Sequence, residues 1–267
     1  MIPVKRRTRR LAPARGKTDL RGMGRIDLDL LTAKDGCSAC PIRHRAVCAS
    51  CEPDELGQLE AIKSYRTWKA GETIALEGDE LSFCASLVSG CATLTRTLED
   101  GRAQMVGLLM PSDFLGRPGR AVAPYEVTAA TDVTFCLFRR TEFERLLRET
   151  PHIAERLLEM ALDELDAARD WMLLLGRKSA RERVASFLVM ILRRAATGPG
   201  ERRAVLPLTR EAMAAYLGLT IETVSRQMTA LRRDGVIALE GNRTVICPDL
   251  LALLAEAGDD ADGDVLS

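Results

Sequence analysis

Between residues 52 and 150 the apolar residues come in short runs with strand character: Ser86-Leu87-Val88, Ala92-Thr93-Leu94-Thr95, Met105-Val106-Gly107-Leu108-Leu109 and Val133-Thr134-Phe135-Cys136-Leu137-Phe138. Turn signals separate them at Lys69-Ala70-Gly71, Glu77-Gly78-Asp79, Ser89-Gly90, Glu99-Asp100-Gly101 and Pro111-Ser112-Asp113. Several short strands at this spacing predict a β-sandwich or β-roll. Short helices at residues 55–63 and 141–148 are expected to flank it.

The period then changes. Residues 152–175 contain no Gly or Pro, and Pro151 sits where the first turn of a helix tolerates it. Leu158, Ala161, Leu165, Ala168, Met172 and Leu175 follow one another in alternating steps of three and four, the spacing of a coiled-coil seam. A seam on one helix needs a partner. That partner is either the chain's own core or the same helix of a second copy, and the reading adopted is a homodimer. A second stripe, Leu157, Met160, Glu164 and Trp171, is expected against the roll. The next helix, residues 180–196, puts Val184, Phe187, Leu188 and Ile191 on one face and stops at Thr197-Gly198-Pro199-Gly200.

Near the C-terminus a short helix beginning after Thr209 runs into Gly218, and a second begins after Thr220. Both threonines are good N-caps, and Gly218 supplies the tight turn of a helix-turn-helix. In the second helix, residues 221–234, Val224, Met228 and Leu231 face a core. Glu222, Ser225, Arg226, Thr229 and Arg233 share the opposite face. Gly235 ends it. Residues 236–247, folded about Gly241-Asn242, read as a hairpin wing. Glu222 and Arg226 taken alone are equally an i, i+4 ion pair on a solvated helix. Set in this helix, turn, capped helix and wing, they read as base-contacting groups. Arg226 suits guanine, Glu222 suits the cytosine amino group, and Ser225 adapts to either, with Thr220 and Thr229 beside them.

Charge adds the two ends. Lys plus Arg and Asp plus Glu number 38 each, so the whole chain is neutral. Nine bases and one acid fall in the first 25 residues, whereas Glu256, Asp259, Asp260, Asp262 and Asp264 crowd the end without a base. Both ends read as solvated tails. The chain therefore divides into a basic tail (1–26), a cysteine-rich segment (27–51), a roll (52–150), a long dimerisation helix (151–176), a winged helix-turn-helix (177–250) and an acidic tail (251–267). The expected class is α+β. No apolar run reaches the length of a membrane span, and the basic N-terminus has no apolar stretch after it to make a secretory signal. Both features point to the cytoplasm, where thiols stay reduced.

Eight cysteines in that compartment call for a role. Cys37, Cys40, Cys48 and Cys51 fall within fifteen residues. A structural zinc with four thiolates, an iron–sulfur cluster and free redox thiols are each compatible with that spacing. Cys84, Cys91 and Cys247 lie in strand patterns and read as small buried residues. A metal-dependent enzyme of the cupin type would need histidines in the roll, and residues 52–150 have none.

The run Leu217-Gly218-Leu219-Thr220-Ile221-Glu222-Thr223-Val224-Ser225-Arg226 resembles the recognition motif of the CRP/FNR superfamily, in the Glu-x-x-Ser-Arg form of its FNR branch. The order of roll, long helix and winged helix resembles that family along nearly the whole chain. The resemblance implies a transcription regulator that binds palindromic TTGAT-type sites as a homodimer and works with RNA polymerase. The cysteine spacing resembles that of α-proteobacterial members, which implies a [4Fe–4S] cluster on Cys37, Cys40, Cys48 and, from the end of the roll, Cys136. Cys51 is then a surplus thiol. An intact cluster would favour pairing of the seam helices, and oxygen would undo it. Nitric oxide or thiol oxidants as the signal, or zinc in place of the cluster, are the alternatives. Arg117 follows Gly116 where CRP-like members carry Glu, and no Arg-Ser pair follows, so cyclic-nucleotide binding is not expected. Ala168 stands where FNR-type seams can carry an acid that opposes pairing, so the bare protein is expected to remain partly dimeric.

Overall fold

The computed structural model describes residues 36–195 and 202–258. The basic tail, the Thr197–Gly200 stop and the residues after Gly258 lie outside that range. Helix α1 (Pro53–Ile62) starts on a proline, and the Glu55 carboxylate accepts the Glu52 N–H at 2.8 Å. Eight strands follow: β1 (Lys63–Trp68), β2 (Thr73–Ala75), β3 (Phe83–Ser89), β4 (Ala92–Thr97), β5 (Ala103–Leu109), β6 (Phe114–Leu115), β7 (Glu126–Ala129) and β8 (Val133–Arg139). They form two four-stranded antiparallel sheets, in the orders β1-β8-β3-β6 and β2-β7-β4-β5. The four runs picked out in the sequence become β3, β4, β5 and β8. Gly90 makes the β3–β4 turn at φ 87°, and a Cβ there would lie 2.2 Å from the Asp132 carbonyl oxygen, so no other residue fits.

Side chains of a strand alternate between faces, and β8 uses both. Val133, Phe135 and Leu137 point between the two sheets, where Phe135 meets Trp68 edge-on at 5.7 Å, alongside Ala85, Leu87 and Val127. Cys136 and Phe138 point the other way, with Cys84 and Val88 of β3, under a second layer. That layer consists of residues 36–51, α1, helix α2 (Arg140–Glu149) and the start of helix α3 (Pro151–Arg177). Phe143 of α2 stacks on Phe138 at 5.3 Å and meets Phe114 at a tilt, with ring centroids 5.4 Å apart. A strand buried on both faces reads as an unbroken apolar run, which is why residues 133–138 lack clean alternation.

Helix α3 spans 27 residues, about 40 Å at 1.5 Å per residue. It leads to α4 (Ala180–Ala195), which is the spine of the second unit. Around α4 pack β9 (Arg202–Val205), α5 (Arg210–Leu217), α6 (Ile221–Arg233), β10 (Ala238–Glu240), β11 (Thr244–Cys247) and α7 (Leu250–Ala257). The wing is a three-stranded sheet, β10-β11-β9, and not the hairpin alone. Its turn holds three residues, 241–243, because Glu240 pairs with Thr244.

The expected acidic tail from 251 is corrected by α7. Asp249 caps that helix by accepting the Leu251 N–H at 2.9 Å, and Leu253, Leu254 and Ala257 are buried in the α4 core. The acids after residue 255 mask the apolar run Leu250-Leu251-Ala252-Leu253-Leu254 that precedes them and forms this helix. Glu256 itself is structural: Arg181 of α4 joins it to Asp234 at the end of α6, with the Asp234 contact at 2.9 Å. The Arg181 hydrogen bond holds the Glu256 carboxyl below its usual pKa of 4.5. A depressed carboxyl stabilises the fold above the unfolded-state value and loses that contribution as pH falls through the folded one. Glu256→Gln is expected to melt lower at neutral pH, by about 1 kcal/mol for a partly solvated pair. The gap to the parent protein should close below about pH 4.5; thermal melts across pH check both halves of this.

Candidate functional site

The segment 36–51 is a chain of tight turns. Cys40 donates its N–H to Cys37, Arg43 to Cys40 and Cys51 to Cys48, each to the carbonyl three residues back. Ile42, Ala46 and Val47 are buried and pin the segment to the roll. The Arg43 guanidinium closes it by donating to the carbonyls of Cys48, Ala49 and Cys51, the last at 2.9 Å. Charge-assisted bonds to carbonyls at the turn ends satisfy groups that a helix would have paired internally.

This folding brings Cys37, Cys40 and Cys48 over Cys136. All four thiols line one cavity, together with Ile42, Ala46, Leu59, Tyr65, Ser86 and Phe138. Cys51 is buried in the same layer but is not part of the cavity wall. Burial first, and then the facing thiols of Cys37, Cys40 and Cys48, push the Cys136 thiol far above its usual value. Burial likewise lifts Cys48 to about 11 and Cys51 to about 12. Lys63, whose Nζ also pairs with Glu60 at 3.0 Å, donates to Cys37 Sγ at 3.2 Å. The donor set is therefore four soft sulfurs and a nearby cation in an apolar recess. That chemistry fits an iron–sulfur group, whose thiolate ligands carry negative charge. Among the described residues no three Cys, His, Asp or Glu side chains stand at the mutual spacing of ligands to one metal ion. Cys84, Cys91 and Cys247 are buried singly in the cores, as expected.

The first turns of α3 pack against this segment. Ile153, Leu157 and Met160 pack into the layer that holds the cysteines. Arg156 Nη2 donates to the Arg45 carbonyl at 2.8 Å, and His152 pairs with Glu55 at 2.9 Å. Farther on, Leu158 is 61% exposed, Leu165 45% and Met172 73%, and Ala161 and Ala168 are exposed with them. Leu162, 53% exposed, extends this row. Leu175 does not belong to it: it is partly buried against the α4 core near Gly218. Trp171, expected on the roll, stacks on Tyr216 of α5 at 4.1 Å. Arg183 completes the junction by donating to Leu175 O at 2.8 Å, Lys178 O at 2.9 Å and Leu217 O at 3.1 Å. The C-terminal ends of α3 and α5 thus share one guanidinium.

In α5 and α6 both threonine caps form. Thr209 accepts the Ala212 N–H at 3.1 Å and Thr220 the Thr223 N–H at 3.2 Å, and Gly218 between them is left-handed at φ 62°. Val224, Met228 and Leu231 are buried, and Thr220, Glu222, Ser225, Arg226 and Thr229 are exposed. Glu222 and Arg226 do not pair with each other. The Glu222 carboxyl is held below its usual range by its own backbone N–H and by the Thr220 hydroxyl, and Arg226 reaches Thr223 at 3.5 Å. Thr229 donates its hydroxyl to the Ser225 carbonyl at 2.9 Å, which ties up its proton. Arg43, Arg156 and Arg183 escaped sequence reasoning, because nothing in an arginine's neighbours along the chain shows which distant carbonyls it will meet.

A β-roll bearing a thiol-lined recess, joined by a long helix to a winged helix-turn-helix with a polar exposed face, defines a DNA-binding transcription regulator. Residues 182–256 match the Crp-like helix-turn-helix domain and residues 65–150 the cyclic nucleotide-binding domain. The chain is 62% identical over 232 residues to the transcriptional activator protein FnrL of Cereibacter sphaeroides, covering 85% of this chain and 94% of that one. It is 40% identical over 223 residues to the nitrogen fixation regulation protein FixK of Bradyrhizobium diazoefficiens, covering 83% and 94%. The solved structure of FixK2 from Bradyrhizobium japonicum superposes with a TM-score of 0.69 at 31% identity, over 76% of this chain and all of that one. The chain belongs to the CRP/FNR family of transcription regulators. These relatives are regulators and not enzymes. No helix among the described residues is long and apolar enough to cross a membrane.

The shared Arg183 bridge generates a prediction. Arg183→Ala strips three carbonyls of their donor and is expected to cost about 2 kcal/mol in stability. Because the bridge sets how α5 and α6 sit on α3, affinity for operator DNA should fall while the oligomeric state stays unchanged; differential scanning calorimetry, a DNA-binding titration and sedimentation measure the three.

Proposed function

We propose that this protein is an oxygen-responsive transcription activator that holds a [4Fe–4S] cluster on Cys37, Cys40, Cys48 and Cys136 and binds palindromic TTGAT-type DNA as a homodimer. The observation that carries the reading is the convergence of those four thiols, and not Cys51, on one apolar cavity. When bound, the cluster supplies iron–sulfur chemistry that oxygen destroys. The four thiolates keep residues 37–51 seated on the roll. Seated there, the Arg45 carbonyl stays in the grip of Arg156, and Ile42, Ala46 and Val47 stay packed in the layer shared with Ile153. The α3 helix is thereby held at its N-terminal end, and the row Leu158, Ala161, Leu165, Ala168 and Met172 is presented to a second copy. Exposed apolar rows of this kind mark an interface. Through Arg183 and Trp171 the same helix sets the two recognition helices at the separation of successive major grooves.

On DNA, Arg226 takes guanine, Glu222 accepts from cytosine and Ser225 fills in, while the exposed N-terminal end of α6 with Thr220 approaches the backbone. Thr229, whose proton is engaged by the Ser225 carbonyl, meets the DNA as an acceptor and not as a donor. RNA polymerase is the protein partner of an activator of this class. Cyclic nucleotides are outside the reading, since Arg117 stands after Gly116 where an acid would hold the sugar.

Protein purified without air is expected to be brown, to contain iron and acid-labile sulfide in equal amounts, and to bleach in air. Cys136→Ser should abolish the colour and Cys51→Ser should leave it. A colourless protein with bound zinc would refute the cluster and favour a structural metal. Bleaching by nitric oxide but not by oxygen would transfer the signal to the other gas.

The seam has its own test. Leu165→Asp buries a charge between two copies, so the variant should sediment as a monomer with or without air and lose more than about tenfold in affinity for a palindromic site. A parent that stays dimeric in both atmospheres means that the signal acts by orientation and not by dissociation.

A further inference from the structure

Ser86 is unexplained by packing or by the ligand set. It lies in the middle of β3, is 1% exposed, and its hydroxyl has no hydrogen-bond partner among the described residues. In a sandwich strand a buried hydroxyl without a partner is worse than alanine, because the group is desolvated with nothing in return. Its direction is fixed by register. Ser86 stands opposite Cys136 across the β3–β8 pair, and Cys136 stands opposite Tyr65 across β1–β8, so Tyr65, Cys136 and Ser86 form one row on one face. Opposed side chains in such a row have Cβ atoms roughly 5 Å apart. That face is the cavity wall, and Ser86 lines it with Cys37, Cys40, Cys48 and Cys136. Every other residue of the wall except Tyr65 offers carbon or sulfur there. The groups of this wall able to accept the Ser86 proton are the sulfurs of the recess and the Tyr65 hydroxyl, and by register the Cys136 sulfur stands directly opposite Ser86 whereas Tyr65 stands one strand further on.

We infer that Ser86 is a hydrogen-bond donor to the sulfurs of the bound cluster, at or beside the Cys136 thiolate, and that it sets how readily the cluster is oxidised. The inference rests on the cluster reading given above. Ser86 is a positioning and tuning residue, and it is not a ligand. A hydrogen bond to a cluster sulfur draws electron density from it, favours the reduced state and raises the reduction potential. Removing the donor makes the cluster easier to oxidise. The same removal takes an unsatisfied hydroxyl out of the empty-handed apoprotein, so the two forms respond in opposite directions. A purely structural serine would destabilise both.

The test compares the parent, Ser86→Ala and Ser86→Thr, each prepared without air and also stripped of iron. Ser86→Ala is expected to take up as much iron and sulfide as the parent, to show a lower midpoint potential, and to bleach at least about twofold faster in air-saturated buffer. Its iron-free form should melt no lower than the parent's. Ser86→Thr, which keeps the hydroxyl, should restore the potential and the bleaching rate. Unchanged potential and bleaching in a fully loaded Ser86→Ala would overturn the inference, and so would a lower melting temperature of its iron-free form. A parent that binds no iron and sulfide overturns the cluster reading itself, an outcome visible before any variant is made.

Discussion

The structure hangs on one strand pair whose two faces are both buried. β3 and β8 lie side by side in one sheet, and the alternation of their side chains sorts them into two layers. Phe135, Leu137, Ala85 and Leu87 fill the space between the sheets, while Cys136, Phe138, Cys84, Ser86 and Val88 face outward. A fully buried large side chain contributes about 2–3 kcal/mol relative to exposure, so a one-residue slip would put both layers out of register at once. This constraint places Cys136 under residues 36–51, and it gives α1, α2 and the start of α3 an apolar floor to pack on. Without the outward face there would be no recess for the thiols and nothing to hold the front of α3.

From that floor, α3 serves three neighbours with different parts of its length. Its first turns are tied to the cysteine segment by Ile153 and the Arg156–Arg45 contact. Its middle leaves Leu158, Leu162 and Leu165 in solvent. Its end is locked to the winged helix by Trp171, Leu175 and the three carbonyls that Arg183 gathers. A helix touching the thiol-lined layer at one end and the winged helix at the other is the kind of body whose position two sites can bias together. Burial of the thiols adds a directional feature: because their protons are held tightly, any cation that takes them as ligands must displace those protons.

The recognition unit was legible almost residue by residue, because its signals are local. A threonine cap acts on an N–H three residues ahead, Gly218 bends the chain where it stands, and the faces of α6 follow from a period of 3.6. The roll was legible as a class, but its weaker strands β2 and β6 have only three and two residues and take their conformation from their neighbours. The last helix is hidden behind its own charges: along the chain Glu256 has acids and no base after it, and its partner Arg181 lies 75 positions away on α4. Leu175 fitted the seam by spacing, yet spacing carries no information about which of two apolar surfaces lies nearer.

What the sequence by itself determined is whatever short-range physics encodes: strand and helix periods, caps, the glycine turns, and a cluster of thiols dense enough to demand a role. It could propose Cys136 as the remote thiol only by resemblance. The tertiary structure decided which thiols meet, because Cys136 stands 88 positions after Cys48 and only the pairing of β1, β8 and β3 carries it back under the N-terminal turns. It likewise decided that Cys51 stays out of the recess, that Ser86 faces into it, and that three arginines join the parts. Each of these depends on which surfaces come together, and that is settled by the packing of the whole chain rather than by any stretch of it.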